Sequence, residues 1–194
     1  MKDVVQAVQK ENSKLQFNSN NDSDEISIKK MGISDFDNIK DFVVEQHNSL
    51  EREDFFIIED IDTELPVILS NGIVVAIMQK DKILGLQAID LSLKNSLTLQ
   101  EILQSVYTTN GELYELGWTM VRKECRGKNY AKKLIEHVCS YLEDISEYTL
   151  VATVHPANTI ALKVYMDYGM KPIFQTQYYG YDRTFLIKKV TQIK

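Results

Sequence analysis

The order of apolar and polar positions divides the chain into short strands and amphipathic helices. In the first half, apolar runs predict strands over 25–29, 73–79 and 83–90, and amphipathic runs predict helices over 63–69 and 97–107. The residues 80–82 are typical of a hairpin turn between two of these strands. A further helix is predicted from Ser34, a suitable N-cap, towards Leu50. Its apolar side would consist of Phe36, Ile39, Val43 and Val44.

The second half alternates strands and helices more clearly. It predicts strands over 112–121 and 148–154, a helix from the turn at 126–129 to about Leu142, and a helix from Asn158 to Gly169. Strands over 171–178 and 183–189 would close the chain as a hairpin around Tyr179, Gly180 and Tyr181. Strands alternating with helices, with hairpins at both ends, imply an α/β layer fold with a mixed sheet.

Residues 1–24 are expected to form an appendage to a single domain that spans 25–194. A short amphipathic run around Val4 and Val8 would be only a marginal helix without a docking surface. The stretch 18–24 is polar and rich in Asn, Ser and Asp, as linkers are.

Charge and cysteine content narrow the range of functions. The formal net charge is -6 over 194 residues, and the absence of a long basic stretch disfavours binding to nucleic acid. The longest apolar run, 73–78, is too short to cross a bilayer, so no membrane partner is expected. Cys125 and Cys139 form no CxxC pair, and no His lies at metal-ligand spacing from them. We therefore expect no disulfide framework, no metal, and the reducing cytoplasm as the compartment.

The turn after the strand 112–121 has the chemistry of a phosphate-binding site. A helix start offers unsatisfied backbone N–H groups and a partial positive charge. Gly127 would let the backbone approach an anion closely. The side chains that add positive charge at this point are Arg126, Lys128, Lys132 and Lys133. The alternative is a basic strand-to-helix loop that binds no ligand.

A second segment, 155–170, follows the next predicted strand and closes with Gly169. Asn158 is suited to cap a helix, and Tyr165, seven positions later, projects from about the same helix face. The structural alternatives are an N-cap for Asn158, a core aromatic for Tyr165 and a C-cap for Gly169.

Together the two segments resemble the GNAT superfamily of acyl-coenzyme A-dependent N-acetyltransferases. Residues 126–131, Arg-Gly-Lys-Asn-Tyr-Ala, are similar to the pattern Arg/Gln-x-x-Gly-x-Gly/Ala, with Asn129 in place of the middle glycine. The segment that begins at Asn158 is similar to Asn-x-x-Ala-x-x-x-Tyr-x-x-x-Gly-Phe, with Met170 in place of Phe. The resemblance covers 112–189 well and the first half only in outline.

This resemblance implies a mostly antiparallel mixed sheet of about seven strands, flanked by helices and splayed in the middle at the acetyl-CoA site. It implies direct transfer from acetyl-CoA to a primary amine, a small molecule or a peptide, with Tyr165 as general acid. The implied coenzyme-binding residues are Thr119, Met120, Val121, Arg126, Gly127, Lys128, Asn129, Tyr130, Ala131 and Asn158. A catalytically silent acyl-CoA-binding sensor is the alternative. Exposed edge strands are also compatible with a homodimer.

Acetyl transfer to an amine also needs a base that takes the ammonium proton. Glu112 and Glu115 are the carboxylates on the strand 112–121, and their odd separation places them on opposite faces. Glu115 is preferred because it lies nearer the expected acetyl position, although a solvated strand carboxylate is the alternative for either residue. As the resemblance implies, a backbone N–H near Met120 or Val121 would hold the oxyanion.

The acceptor pocket is expected from the segment 50–66 and the closing hairpin. The apolar patch 55–58 is more typical of core than of pocket, and the acidic residues around it either favour a cationic acceptor or form a solvated loop. Tyr178, Tyr179 and Tyr181 either line the pocket or stabilise the hairpin. Of the histidines, His137 is predicted on the surface, whereas His155, at a strand end, is placed to approach the acceptor.

Overall fold

The computed structural model describes residues 26–91, 97–107 and 111–192, so the predicted appendage 1–24 lies outside the described residues. Within these ranges the strands are β1 (Ile26–Met31), β2 (Gly72–Gln79), β3 (Lys82–Asp90), β4 (Glu112–Val121), β5 (Glu147–Val154), β6 (Lys171–Tyr178) and β7 (Tyr181–Thr191). The helices are α1 (Phe36–Asn48), α2 (Ile61–Asn71), α3 (Leu97–Val106), α4 (Tyr130–Ser140) and α5 (Thr159–Asp167). Strand β4 has the bounds that the sequence predicted.

The seven strands form one mixed sheet in the order β1-β2-β3-β4-β5-β7-β6. Every neighbouring pair is antiparallel except β4 with β5. That pair is parallel because the chain crosses over from β4 to β5 through α4, as parallel neighbours require. The sheet confirms the predicted fold class, and both predicted hairpins, β2–β3 and β6–β7, are present.

Helices cover both faces of the sheet, because successive strand residues point to opposite sides. On one side, named here the α4 face, Val75 of β2 shares a buried cluster with Leu134 of α4 and Tyr165 of α5. On the other side, the α1 face, Val74 of β2 shares a cluster with Ile39 of α1. Helix α3 covers a third cluster over β5, β6 and β7. Burial on both faces explains why β2 has an unbroken apolar sequence.

Strands β4 and β5 pair over only part of their length. Their ladder joins Glu112–Glu115 to Tyr148–Val151, whereas β4 continues to Val121 and β5 to Val154. Past this ladder β4 stays paired with β3, and β5 with β7. The interstrand hydrogen bonds thus stop near Glu115, in the middle of the sheet. The splaying expected at this point stays a prediction.

The prediction that Ser34 caps the first helix is wrong. Residues 33–35 form a 3-10 turn, in which the carboxylate of Asp35 accepts a hydrogen bond from the N–H of Gly32 at 2.9 Å. Helix α1 therefore begins at Phe36. The buried side of α1 also differs from the predicted one, because Val44 is 41% exposed. The buried residues of α1 are Ile39, Phe42, Val43 and Gln46.

The predicted surface position of His137 is also wrong. Its side chain is only 6% exposed, and its ring packs edge-on against Tyr141 with centroids 5.6 Å apart. Burial lowers the pKa of His137, because a charged imidazolium would lose its hydration. His137 is therefore part of the core beneath α4.

Candidate active site

Strand β4 carries a β-bulge next to the end of its ladder with β5. The register against β3 shifts by one residue, so that Gly117 lies opposite Ala88 while Met120 lies opposite Leu86. Within the bulge Trp118 has a φ of +56°, which bulky residues seldom adopt. A bulge interrupts the ladder and re-aims side chains. Here it directs Trp118 to the α1 face and the next side chain to the α4 face.

The hydroxyl of Tyr165 reaches this bulge from α5. Its oxygen lies 2.6 Å from Oγ1 of Thr119 and 3.3 Å from the carbonyl oxygen of Leu116. Burial raises the pKa of Tyr165 to about 12, because the phenolate would be desolvated; the hydrogen bond with Thr119 opposes the rise, and the charge of Glu115 adds to it. The phenol therefore keeps its proton at neutral pH.

A buried amide fixes the direction of the hydrogen bonds around Tyr165. Nε2 of Gln87 donates to the carbonyl oxygens of Ala88, at 2.9 Å, and of Gly117, at 2.6 Å. Its Oε1 therefore faces Thr119 and accepts the hydroxyl proton of that residue. Because Thr119 has only one hydroxyl proton, Tyr165 is the donor in the contact between the two hydroxyls. The chain of donation thus runs from Tyr165 to Thr119 to Gln87.

Glu115 lies on the same strand but is directed away from Tyr165, towards the α1 face. It is opposite Asp90 in the β3–β4 register. Desolvation raises the pKa of Glu115 to about 7, and the charge of Asp90 adds to the rise. Protein atoms surround the Glu115 carboxyl, but part of the side chain is still accessible to solvent. Glu112, by contrast, is exposed. A reachable carboxyl that titrates near neutrality can act as a general base.

The predicted phosphate-binding turn joins β4 to α4. Residues 126–129 are all exposed, and Gly127 has a φ of +78°. A Cβ built on Gly127 would meet no atom within 4 Å, so the turn is open on this side. Asn129 has a φ of +60°, the left-handed conformation that asparagine tolerates better than most residues. The turn therefore keeps its conformation although Asn129 replaces the middle glycine of the family pattern.

The first turn of α4 leaves backbone donors for a ligand. Asn129 is the N-cap, but within the described residues its side chain makes no capping hydrogen bond. In α5, by contrast, Oδ1 of Asn158 accepts from the N–H of Ala161 at 3.1 Å. Uncapped amides at a helix start bind phosphate groups. Arg126 and Lys128 are exposed beside these amides, so this helix start has the donors and the positive charge that an anion-binding site needs.

Not every predicted coenzyme-binding side chain is accessible. Met120 and Tyr130 are buried in the core, so only their backbone atoms are available to a ligand. Val121 and Ala131 are half-buried, and Val121 packs against the α4-face cluster. Asn158 uses its side-chain oxygen as the cap of α5. Backbone groups would thus make most contacts at the turn.

The C-terminus of α5 has the geometry of a Schellman motif. The N–H of Gly169 donates to the carbonyl of Met166 at 2.9 Å, and the N–H of Met170 donates to the carbonyl of Tyr165 at 3.0 Å. Gly169 has a φ of +93°, as a glycine at this position should. Caps at both ends therefore fix α5, and with it the position of the Tyr165 hydroxyl.

A cavity of about 530 Å³ lies on the α1 face. Its lining consists of His47, Arg52, Glu53, Asp54, Phe56, Ile57, Ile58 and Tyr181. Phe56 packs edge-on against Trp118 with centroids 5.5 Å apart, which places the cavity beside the β4 bulge. The patch 55–58, expected in the core, therefore lines a pocket as well as packing against the core. Tyr181 also lines this cavity, whereas Tyr178 is buried beneath α3.

His155 is held at the edge of this cavity by an ion pair. Arg52 binds both carboxylate oxygens of Asp54, at 2.9 and 2.6 Å. Nε2 of His155 lies 3.4 Å from Asp54, and its Nδ1 accepts a hydrogen bond from the N–H of Ala157 at 3.0 Å. Because Nδ1 is an acceptor, the neutral ring carries its proton on Nε2, directed at Asp54. In this tautomer His155 is a donor rather than a base.

Several acidic residues of the segment 51–62 have structural partners. Asp54 pairs with Arg52, Asp60 caps α2, and Asp62 lies 2.5 Å from Nζ of Lys40. These contacts satisfy the carboxylates within the protein. Two acidic residues of this segment, Glu53 and Asp54, also line the cavity.

Sequence reasoning missed Gln87, Trp118 and Arg183. Gln87 is a lone polar residue in an apolar strand, and its partner Thr119 is 32 positions away. The neighbouring Gly117 was the only local signal for the bulge at Trp118. Arg183 is 3% exposed and stacks on Tyr181, but nothing in the local sequence distinguishes it from a surface arginine.

Two further features limit the chemistry of the described residues. None of their helices is both long and apolar enough to span a bilayer. In the same ranges, no three His, Cys, Asp or Glu side chains converge as a metal-binding set. Cys125 and Cys139 are buried free thiols, and burial raises the pKa of Cys139 to about 11, so that this thiol is a poor nucleophile.

Comparison with known proteins gives a family match. The model described as the acetyltransferase (GNAT) family matches residues 40–170, more than half of the chain. Comparison with curated proteins gave no match.

Solved structures with the same fold cover nearly the whole described chain. Arabidopsis thaliana NAA60 in complex with acetyl-CoA is similar with a TM-score of 0.65 and 15% identity, over 85% of this chain and 98% of that one. The ribosomal-protein-S18-alanine N-acetyltransferase from Escherichia coli has a TM-score of 0.64 and 13% identity, over 87% and 96%. The GNAT domain of S. lividans PAT has a TM-score of 0.60 and 16% identity, over 91% and 97%.

Proposed function

Because this chain belongs to the GNAT family of acetyl-CoA-dependent acetyltransferases, we propose that it acetylates a primary amine by direct attack in a ternary complex. Tyr165 is the general acid and Glu115 the general base. One observation carries this assignment. Both groups meet the stretch of β4 where the ladder with β5 ends: Glu115 lies on this stretch and is directed to the α1 face, and the Tyr165 hydroxyl of α5 contacts the stretch on the α4 face.

The turn between β4 and α4 would bind the coenzyme. Backbone N–H groups at the start of α4 take the pyrophosphate oxygens, and Arg126 and Lys128 add charge-assisted hydrogen bonds. The thioester then lies along β4, where a backbone N–H near Met120 or Val121 is available to its carbonyl oxygen. This orientation directs the sulfur towards Tyr165 and the carbonyl carbon towards the cavity.

Three proton transfers accompany the reaction. Glu115 takes a proton from the ammonium form of the acceptor, directly or through water, and the neutral amine attacks the thioester carbon. As the C–N bond forms and the C–S bond breaks, Tyr165 gives its phenolic proton to the departing thiolate. The nitrogen of the new amide then loses its extra proton, through solvent water, to the Tyr165 phenolate, which restores the phenol. The hydroxyl hydrogen of Tyr165 needs only to rotate about its C–O bond, from Thr119 to the sulfur.

A test of this function measures thiol release from acetyl-CoA with a panel of amines. We expect release with at least one amine, and a kcat lowered about 10²-fold or more in Tyr165→Phe, since a general acid typically contributes this much. The Kd for acetyl-CoA, measured by calorimetry, should stay within about twofold of the wild type. Binding without release for every amine would contradict the enzyme and favour the acyl-CoA sensor.

Tyr141→Phe is the matched control. Its hydroxyl is buried and has no hydrogen-bond partner among the described residues, so its removal leaves the site unchanged. We expect wild-type kcat from this variant. A fully active Tyr165→Phe enzyme would remove the general-acid role.

A further inference from the structure

Gln87 is a buried polar side chain on the α4 face of β3. It is the only polar residue between Ile83 and Ile89, and its exposed fraction is 0%. In the β2–β3 register it lies opposite Val75, which belongs to the cluster on the α4 face. Burial of an amide costs free energy unless its N–H and C=O groups are hydrogen-bonded. The hydrogen bonds of Gln87 therefore indicate why this position is not apolar.

The neighbours of the Gln87 amide leave only one orientation for it. Nε2 lies 2.9 Å from the carbonyl oxygen of Ala88 and 2.6 Å from that of Gly117, and a carbonyl oxygen can only accept a hydrogen bond. The nitrogen must therefore face these two oxygens, so the amide cannot be flipped. Through the contact with Gly117, the side chain holds the β4 bulge against β3. Its Oε1 remains as an acceptor and faces the hydroxyl of Thr119.

The hydroxyl of Thr119 has one proton and two neighbours that can accept it, Oε1 of Gln87 and the oxygen of Tyr165. While Tyr165 is a phenol, all three groups are satisfied, because each hydroxyl donates to the next group in the chain. A phenolate at Tyr165 would disturb this arrangement. Its contacts in the described chain are with Thr119 and the carbonyl oxygen of Leu116, which has no proton to donate. The phenolate would gain a hydrogen bond only if Thr119 turned away from Gln87, and the buried Oε1 would then lack a donor, at a cost in free energy.

We propose that Gln87 is a positioning residue for the acid: by retaining the proton of Thr119, it keeps Tyr165 the donor in their contact and withholds a hydrogen bond from the phenolate. Gln87 acts through Thr119 and takes no part in the bond changes. Because the phenolate lacks this hydrogen bond, it regains a proton readily after each acetyl transfer, and the phenol persists in alkaline solution. This inference rests on the proposed function, since it assigns a residue that maintains the acid of the same site.

A purely structural role for Gln87 would use a different atom. The bulge is held by Nε2, whereas the proton of Thr119 is held by Oε1. Gln87→Glu separates the two roles, because a carboxyl group keeps an oxygen that accepts from Thr119 in either protonation state, but cannot donate to both carbonyl oxygens. Gln87→Met has a side chain of similar length and removes both roles. The two variants therefore differ in whether Thr119 is free to donate to Tyr165.

The test titrates Tyr165 by NMR in protein labelled at the tyrosine Cζ, with its signal assigned by its disappearance in Tyr165→Phe. Burial raises the pKa of Tyr165 to about 12 in the wild type. In Gln87→Met we expect this pKa to be lower by about one unit or more, because Thr119 is free to donate to the phenolate. In Gln87→Glu it should not fall. Circular dichroism at each pH verifies that the variants are folded. If Gln87→Met does not fold, Gln87→Asn, whose shorter side chain withdraws the oxygen from Thr119, should give a shift in the same direction.

The pH profile of thiol release is the second readout. With an amine that the enzyme acetylates, the alkaline decrease of kcat in Gln87→Met should begin at a lower pH than in the wild type, by the same interval as the NMR shift. An unchanged Tyr165 pKa in Gln87→Met would overturn the inference, and so would an equal fall in Gln87→Glu, which would assign Gln87 to the bulge alone. Both results leave acetyl transfer intact. Failure of the proposed function is seen separately, as no release with any amine, because the NMR titration needs no turnover.

Discussion

Glu115 is the residue whose titration should govern the pH dependence of acetyl transfer. Its pKa is raised to about 7, so the fraction of enzyme with a competent base increases as the pH rises through neutrality. We expect kcat/KM to rise to a plateau above this pH. In Glu115→Gln this limb should disappear and kcat should fall by about 10²-fold or more. Steady-state rates between pH 5 and 9 provide the measurement.

Glu112→Gln is the control on the same strand, because Glu112 is exposed and lies on the other face. Its pH profile should match that of the wild type.

The pH dependence of the unfolding free energy gives an independent readout of the Glu115 pKa. The folded pKa of Glu115 lies above its value of about 4.3 in unfolded chains, so its stabilising contribution is complete below pH 4 and is lost as the pH rises through 7. Wild type should therefore lose stability relative to Glu115→Gln between pH 5 and 8.

Thr119 links two buried polar groups, and its hydroxyl should matter to both. In Thr119→Val, Oε1 of Gln87 loses its donor, which costs about 1–3 kcal/mol of unfolding free energy. Tyr165 loses its acceptor at 2.6 Å, so its hydroxyl is less well positioned and kcat should also fall. Thr119→Ser should restore both quantities, as measured by urea unfolding and thiol release. Wild-type stability in the valine variant would contradict this role.

At the scale of single residues, short sequence patterns could predict only part of the candidate active site. Asn158, Tyr165 and Gly169 were recognisable because one helix brings them together at fixed spacing. Gln87 depends on Thr119, a partner that another strand supplies, so no local pattern distinguishes it. The position of His137 was misjudged although its contact is local, since the ring of Tyr141, against which it packs, is four positions later at the end of the same helix.

Among the elements, the turn between β4 and α4 combines unusual backbone geometry with the coenzyme-binding role proposed for it. Gly127 and Gly180 have nearly the same φ, +78° and +76°, and in each case an added Cβ would meet nothing within 4 Å. Alanine at either position should therefore cost a similar 1–2 kcal/mol of stability. Only Gly127→Ala should weaken acetyl-CoA binding, by about tenfold, since 1.4 kcal/mol corresponds to this factor. Calorimetry and thermal unfolding of both variants test this, and equal affinities would contradict the assignment of the turn.

The elements themselves were largely predictable, and their ends less so. Strand β4 was predicted with its observed bounds, since polar residues flank its apolar core. The start of α1 was not, because Asp35 folds back onto Gly32 and inserts a 3-10 turn between Ser34 and the helix. The order β5-β7-β6 and the bulge at Trp118 arise from pairing between distant segments, which periodicity does not encode.

At the scale of the whole molecule, one sheet joins the clusters on its two faces. Leu134 on the α4 face and Leu65 on the α1 face are both fully buried. Leu134→Ala and Leu65→Ala should each cost about 2–5 kcal/mol, and each should lower the Tm of the same single transition. Calorimetry should give equal calorimetric and van't Hoff enthalpies in both variants. Two separate transitions would show that the faces unfold independently. The control is Val44→Ala, at an exposed site, which should have little effect on the Tm.

The single tryptophan lies on β4, the strand at which both the acid and the base are proposed to act. Trp118 belongs to the bulge of β4, and its indole touches Phe56 in the wall of the cavity. Indole emission responds to nearby charge and to changes in ring contacts. The protein therefore contains its own optical reporter: ultraviolet excitation of the unlabelled chain offers a direct way to time the arrival of each substrate.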